Sequence, residues 1–402
     1  MLVSMECPVE QLQVGDLLSR PIYRDDGLVL LAKGVSLSQE DIDILRAYRD
    51  TIFIRRETPD VKSVVELQDG DVIACPVVDR EGHQVVVRGT VVDNDVKTNL
   101  KDYKGNVYIR KDYEKPEPLK RLELSADVKD RVRQGISYMF SGVPPQEICD
   151  TAREVAILLC DTIKDSDAVA VDLSLLKVSD EYTFKHSIDV ATLASFTAIS
   201  MGYDLPVVQQ ITMAGMLHDL GKIKVPNEII NAPRRLTEEE FSIMAQHPKW
   251  GWEMVHGRQG ITEEVELGIL QHQEKTNGTG YCSGLKGNCI SEIGRLICVT
   301  DFYDALVTER SYKKGMVPHQ AVEIMMKDEG HCDRLFFNAF LSCLCLYEPG
   351  HDVVLSNGES CIVLAHNDGY PFNPIVRNKA TGVVYDLLRD SQFREVSIQS
   401  YS

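Results

Sequence analysis

Several stretches of this chain that read as helices place imidazoles or carboxylates on faces that should be wholly apolar. Val207, Ile211, Ala214 and His218 share one face at helical spacing, and Asp219 follows at once. Ile290, Ile293, Ile297 and Asp301 form a second such stripe, and His186 heads a third with Val190 and Leu193. His247 and His272 lie in two further helical segments. A lone histidine on an apolar face is ordinarily a core residue with its hydrogen bonds met. A buried aspartate is harder to accommodate, because an unpaired buried carboxylate costs several kcal/mol. Helices that each bring His or Asp inward satisfy all these groups together if they bind metal ions. Nitrogen and oxygen ligands without thiolate suit divalent iron or manganese, with zinc also admissible.

These stripes lie in one helical region, 121–346, with helices predicted over Asp127–Met139, Pro145–Ile163, Tyr182–Met201, Leu205–Lys222, Glu238–Val255, Thr262–Glu274 and Glu292–Val307. Ahead of it the chain repeats itself. A gapless shift of 55 residues aligns Gly15 with Gly70, Asp16 with Asp71, Pro21 with Pro76 and Gly34 with Gly89. The matches fall on turn residues as well as core positions, so each copy reads as a small α+β unit. The units span 1–58 and 59–112, and the proline-containing stretch 113–120 reads as a linker. No catalytic cluster appears in either copy, so they read as a tandem scaffold. After Gly350, Asp352–Leu355, a Ser-Asn-Gly turn and Ser360–Leu364 signal a hairpin that opens a small β subdomain, 347–402. The fold class is mainly α, with tandem α+β units before the helical domain and a β subdomain after it.

A net charge of −18 argues against a DNA- or RNA-binding surface, which needs clustered cations. It does not exclude a small anionic ligand, because a bound metal reverses the local field. The 11 cysteines are scattered without a CxxC pair and read as reduced thiols. No apolar run reaches the roughly 18 residues that a membrane helix needs, and the N-terminus lacks a signal-peptide pattern. The expectation is a cytoplasmic protein without membrane insertion.

The polar groups of the helical region fall into ordered motifs. Tyr182-Thr-Phe-Lys-His186-Ser comes first, then Gly215-Met-Leu-His218-Asp219-Leu-Gly221-Lys222-Ile-Lys-Val-Pro226. Leu236-Thr-Glu-Glu-Glu, His247-Pro248-Lys-Trp-Gly251 and His272-Gln273-Glu274-Lys-Thr-Asn277-Gly278-Thr-Gly280-Tyr281-Cys282 follow. Asp301-Phe-Tyr-Asp304-Ala305-Leu306 and Arg310-Ser-Tyr312 close the series. Over about residues 124–346 this resembles the HD-GYP family, a branch of the HD phosphohydrolase superfamily. The resemblance implies an HD-type helical domain and a cyclic di-GMP phosphodiesterase of bacterial second-messenger signalling. In family terms His186, His218, Asp219 and Asp301 hold one ion, and Asp219 bridges to a second held by His247 and His272. Lys222 lies beside a phosphate oxygen, Gly280 and Tyr281 shape the substrate pocket, and Arg310 and Tyr312 face the nucleotide. Two ions about 3.5–4 Å apart suit this chemistry, because together they bind a bridging hydroxide and clamp the phosphodiester it attacks. The product is the linear dinucleotide, cut on to GMP in some cases. A homodimer or a signalling-protein partner is compatible with this reading.

The chain departs from the family pattern at three positions. Gln273 stands for the second histidine of HHE, Asn277 for the aspartate of DGxGYP, and Cys282 for the proline of GYP. A glutamine oxygen is a weaker ligand than imidazole, so the second ion is expected to bind less tightly. Two alternatives follow: a degenerate domain that binds a cyclic dinucleotide or a protein partner without turnover, and an HD hydrolase for another nucleotide.

Overall fold

Ser38 and Asp93 open two short helices in the same way, and the rest of the N-terminal region repeats around them. The computed structural model describes residues 2–24, 26, 28–33, 35–46, 49, 51–57, 60–78, 83–109, 116, 121–122, 124–164, 166, 168, 182–308, 315–367, 369–393 and 395–401. The linker expected over 113–120 lies outside them except for Pro116. The chain begins with β1 (Leu2–Pro8), β2 (Leu17–Leu18), β3 (Ile22–Tyr23), β4 (Val29–Leu31), α1 (Gln39–Leu45) and β5 (Thr51–Glu57). A second set follows: β6 (Asp60–Lys62), β7 (Val77–Val78), β8 (Gln84–Val86), α2 (Asn94–Asn99) and β9 (Val107–Ile109). The Ser38 side chain accepts from the Asp41 N–H and that of Asp93 from the Val96 N–H, which caps each helix. Gly15 N–H donates to Leu37 O and Gly70 N–H to Val92 O, both at 2.9 Å. These glycines hold φ of 98° and 94°, a region that a Cβ would strain. β1 pairs antiparallel with β5, as β6 does with β9.

The chain divides into two compact units. One comprises Met1–Arg20, Ala32–Lys120 and Leu344–Ser402, and the other Pro21–Leu31 and Arg121–Cys343. The first unit holds the C-terminal sheet as well as the repeat other than Pro21–Leu31. Its strands are β10 (Asp352–Leu355), β11 (Ser360–Ala365), β12 (Ile375–Asn378), β13 (Val384–Asp386) and β14 (Ile398–Tyr401). They pair antiparallel in the order β13-β12-β11-β10-β14, and the hairpin β10–β11 forms where the sequence signals it. The second unit takes in the hairpin β3–β4: the Tyr23 hydroxyl donates to Tyr203 O at 3.2 Å and Val29 N–H to Asp204 Oδ1 at 2.7 Å.

The helices of the second unit are α3 (Ala126–Met139), α4 (Pro145–Lys164), α5 (Tyr182–Met201), α6 (Leu205–Leu217), α7 (Asn227–Ile230) and α8 (Glu238–Met244). α9 (His247–Val255), α10 (Glu263–Gln271), α11 (Glu292–Val307), α12 (Pro318–Lys327) and α13 (Arg334–Leu341) complete it. α5, α6, α10 and α11 pack on one another through buried Val190, Ala191, Ile211, Ala214, Ile269, Ile293 and Ile297. Among the described residues no helix is long and apolar enough to cross a membrane.

Three of the expected helices are shorter than their apolar periodicity indicates. The one predicted over Leu205–Lys222 ends at Leu217 and continues as a 3-10 turn, Leu220–Lys224. The one over Glu238–Val255 is broken between Met244 and His247, because Pro248 has no N–H to offer the Met244 carbonyl four residues back. The one over Thr262–Glu274 stops at Gln271. The 3-10 turn then presses directly on α9. A Cβ built on Gly221 would lie 2.0 Å from His247 O and 2.5 Å from Gly251 N, so only glycine permits the approach that brings His247 to Asp219.

Gly221→Ala is therefore expected to destabilise the protein by about 1–3 kcal/mol. In urea the midpoint falls with the slope unchanged, and Gly251→Ala, whose Cβ would meet nothing closer than 3.2 Å, costs less. Equal midpoints for Gly221→Ala and wild type would show that the two backbones do not touch.

Candidate metal centre

His218 and His272 each sit at the C-terminal end of a helix, α6 and α10, where the last carbonyls lack backbone partners. Each ring turns back and donates its Nδ1 hydrogen to the carbonyl three residues earlier. His218 reaches Gly215 O at 2.6 Å and His272 reaches Ile269 O at 2.8 Å. His247 does the same at the break between α8 and α9, donating to Met244 O at 2.8 Å. That is the carbonyl that Pro248 leaves without a donor. A carbonyl only accepts, so all three rings carry hydrogen on Nδ1 and turn Nε2 inward. His186, inside α5, is held by a carboxylate instead: its Nδ1 donates to Asp304 Oδ2 at 2.6 Å. The other Asp304 oxygen accepts from the Thr308 hydroxyl at 2.9 Å.

The four Nε2 atoms converge on Asp219, which is buried. Its Oδ2 lies 3.4 Å from His218 Nε2 and 3.5 Å from His186 Nε2. Its Oδ1 lies 3.3 Å from His247 Nε2 and 3.9 Å from His272 Nε2. Asp301 Oδ1 is 3.1 Å from His186 Nε2. Two ligand sets each have all their donor atoms within 4.8 Å of one another: His186 with His218 and Asp301, and His218 with Asp219 and His272. The residues fit a divalent cation. His247 and His272 bring two Nε2 lone pairs to 3.1 Å with no hydrogen to share, and Asp219 Oδ1 is buried without a hydrogen-bond donor. A cation answers both problems at once.

The electrostatics divide the site in the same way. Burial pushes His247 down to about 4 and His272 well below the ordinary imidazole range, with neighbouring rings adding to the shift at His272. Both are thus neutral imidazoles at pH 7. Burial opposes charge on His186 too, but hydrogen bonds to Asp301 and Asp304 outweigh it and hold that ring up at about 10. Burial also opposes charge on Asp219, yet His218 and Lys222 beside it hold the carboxyl well below its usual range.

The structure places the remaining expected residues as follows. Lys222 is half-buried, with Nζ 2.5 Å from Asp219 Oδ2. Gly280 folds the loop back on itself, since a Cβ there would lie 2.4 Å from Lys275 N and 2.5 Å from Gln273 O. The Tyr281 ring stands edge-on to His247 at 6.2 Å between centroids. Burial raises its phenol, and the negative Asp301 and Asp219 raise it further. Arg310 and Tyr312 lie outside the described residues. Gln273 borders the site, but its amide Nε2 donates to Asp301 Oδ2 at 2.7 Å.

Two functional carboxylates were not singled out from the sequence. Asp304 orients His186, and its signal was its place one turn after Asp301 on the same helix. Glu274 is buried and accepts backbone N–H bonds from Ser283, Gly284 and Leu285 at 2.6–3.1 Å, which ties down the loop carrying Tyr281. Asp304→Asn should lower metal affinity about 10–100-fold, because a neutral amide fixes the His186 ring less firmly. Titration of the metal-free protein with manganese(II) checks this, and unchanged affinity would rule out an orienting role for Asp304.

Residues 172–335 match the HD domain family. Among curated proteins, a cyclic di-GMP phosphodiesterase of Pseudomonas aeruginosa is 33% identical over 250 residues, 61% of this chain and 60% of its own length. A cyclic di-GMP phosphodiesterase response regulator of Xanthomonas campestris is 36% identical over 145 residues, 36% of this chain and 38% of its own. A 3'3'-cGAMP-specific phosphodiesterase of Vibrio cholerae is 29% identical over 170 residues, 42% of this chain and 38% of its own. The chain thus accounts for less than two thirds of each relative. The family match, residues 172–335, takes in every helix that carries the converging imidazoles and carboxylates.

Proposed function

We propose that this chain is a metal-dependent phosphodiesterase that opens cyclic di-GMP to the linear dinucleotide, and on to GMP. The observation that carries the reading is Asp219, whose two oxygens face two different pairs of imidazoles. That arrangement supports two ions, iron or manganese, one with His186, His218, Asp219 and Asp301 and the other with Asp219, His247 and His272. Ions held there would supply Lewis acidity to water and to the phosphate. Lys222 would turn from Asp219 toward a non-bridging phosphate oxygen, where its charge matches the charge that builds up during attack. Tyr281, on the loop that Gly280 and Glu274 hold in place, would border the substrate. Arg310 and Tyr312 keep their expected role toward the nucleotide. The names of the relatives support a cyclic dinucleotide over other phosphodiesters. The tandem N-terminal units are read as scaffold, with a second copy or a signalling protein as partner.

A second reading, binding without turnover, is favoured by one observation: at Gln273 an amide hydrogen meets Asp301, where the family has an imidazole. The experiment that separates the two is hydrolysis of cyclic di-GMP with iron(II) or manganese(II), alongside a metal count per chain. We expect linear product and close to two metals, with both lost in Asp219→Ala. No product with at most one metal would move the conclusion to the binding module. Gln273→His should raise metal content and turnover together. No gain in either would place position 273 outside the ligand sets.

A further inference from the structure

An aromatic row leads outward from the metal centre. His247, with Nε2 3.3 Å from Asp219 Oδ1, is its inner end. The Tyr281 ring follows at 6.2 Å and 78°, and the Phe241 ring beyond it at 5.7 Å and 88°. Tyr281 is partly covered, whereas Phe241 is 51% exposed, an unfavourable place for a phenyl ring unless something covers it.

The ring is also anchored. α8 opens with a capping box in which the Thr237 side chain accepts the Glu240 N–H and Glu240 returns to the Thr237 N–H. Arg234 clamps the same Glu240 through both Nη atoms, at 2.6 and 2.8 Å. At the far end of α8, the Cys282 thiol lies 3.8 Å from Ala245 O, which joins the helix to the Tyr281 loop. An exposed aromatic fixed at both ends of its helix, one ring beyond the imidazoles, is a stacking face for a flat heteroaromatic group.

We propose that Phe241 is a substrate-positioning residue that stacks on a purine base of the cyclic dinucleotide while the phosphodiester lies at Asp219 and Lys222. This rests on the phosphodiesterase reading above and names the part of the substrate that the exposed ring holds. Tyr281, edge-on to Phe241, sets the angle of that ring and backs it without being the stacking face itself. Stacking of this kind tolerates any base, so the residue favours purine dinucleotides through the area of their π-face and reads no hydrogen-bond pattern.

The test uses the full chain loaded with manganese(II), and compares wild type with Phe241→Ala, Phe241→Leu and Phe241→Trp. In Ala and Leu, KM for cyclic di-GMP should rise roughly ten-fold, the size of one lost stacking contact, with kcat within two-fold of wild type. Phe241→Trp should restore KM, and its added fluorescence over that of Trp250 and Trp252 should be quenched when cyclic di-GMP binds. Leu matching wild type would mean that bulk alone matters, and a fall in kcat at constant KM would mean that Phe241 only supports Tyr281. Either result overturns the inference, as does an unchanged KM in Phe241→Ala. If wild type gives no linear product, the phosphodiesterase reading fails on its own. The stacking role is then read from Kd for cyclic di-GMP in the same four proteins, with the same ordering expected and equal Kd values overturning it.

Discussion

Asp219 is a carboxylate buried among four imidazoles, and the second unit is built to tolerate it there. Three of those rings donate their Nδ1 hydrogen to carbonyls at helix ends, His218 and His272 within their own helices and His247 across the break to α8. His247 and His272, both neutral, therefore cannot satisfy the carboxylate as donors, and offer lone pairs to whatever lies between. His218 and Lys222 beside it hold Asp219 ionised against its burial, without a metal. Much of the local backbone serves this juxtaposition: α6 and α10 end at a histidine, α8 and α9 separate at Pro248, and Gly221 lets the 3-10 turn seat against α9. Each is a feature that helix propensity alone would remove.

That last point explains what the sequence disclosed and what it hid. α5 and α11 begin and end where apolar spacing predicts, at Tyr182 and Met201 and at Glu292 and Val307, because His186 and Asp301 lie inside continuous helices. His218 and His272 read as members of stripes too, but periodicity runs on through a helix end and cannot see that the ring itself takes the last turn's carbonyl. The predicted helix Glu238–Val255 runs through Pro248, the one residue that marks the break, which falls one residue after His247. Asp304 and Glu274 were harder to find. The partner of Asp304 is 118 residues away, and Glu274 binds backbone N–H groups that carry no sequence signature. In the N-terminal region the 55-residue shift anticipated turns as well as strands, since glycines and aspartates at matched positions make matched hydrogen bonds.

The three departures from the family pattern are unequal. Asn277 still accepts from the Thr279 N–H and hydroxyl through Oδ1, at 2.9 and 2.7 Å, so the turn survives loss of the charge. The loop is tied at Thr276 and Asn277 to His331 O and Gly330 O, and again at Glu274 to three backbone N–H groups. With ties on both sides of Cys282, its shape does not depend on a proline there. Gln273 is different in kind. Its amide donates to Asp301, and so occupies a carboxylate oxygen with a neutral donor where an imidazole would bring a lone pair. The erosion of the loop signature is structurally mild and chemically concentrated at one residue.

The same residue bears on how an acidic chain could receive an anionic substrate. With a net charge of −18, the protein as a whole repels a phosphodiester, and among the described residues Lys222 and His186 pair with Asp219 and Asp301. Lys222 is already engaged with Asp219 Oδ2, and His186 with Asp301 and Asp304, so neither cation is free to greet a phosphate while the carboxylates lack other partners. Divalent charge at Asp219 would release Lys222 and reverse the local field in one step. Metal loading and phosphate binding would then be a single coupled event, and Gln273, by holding Asp301, would act on both.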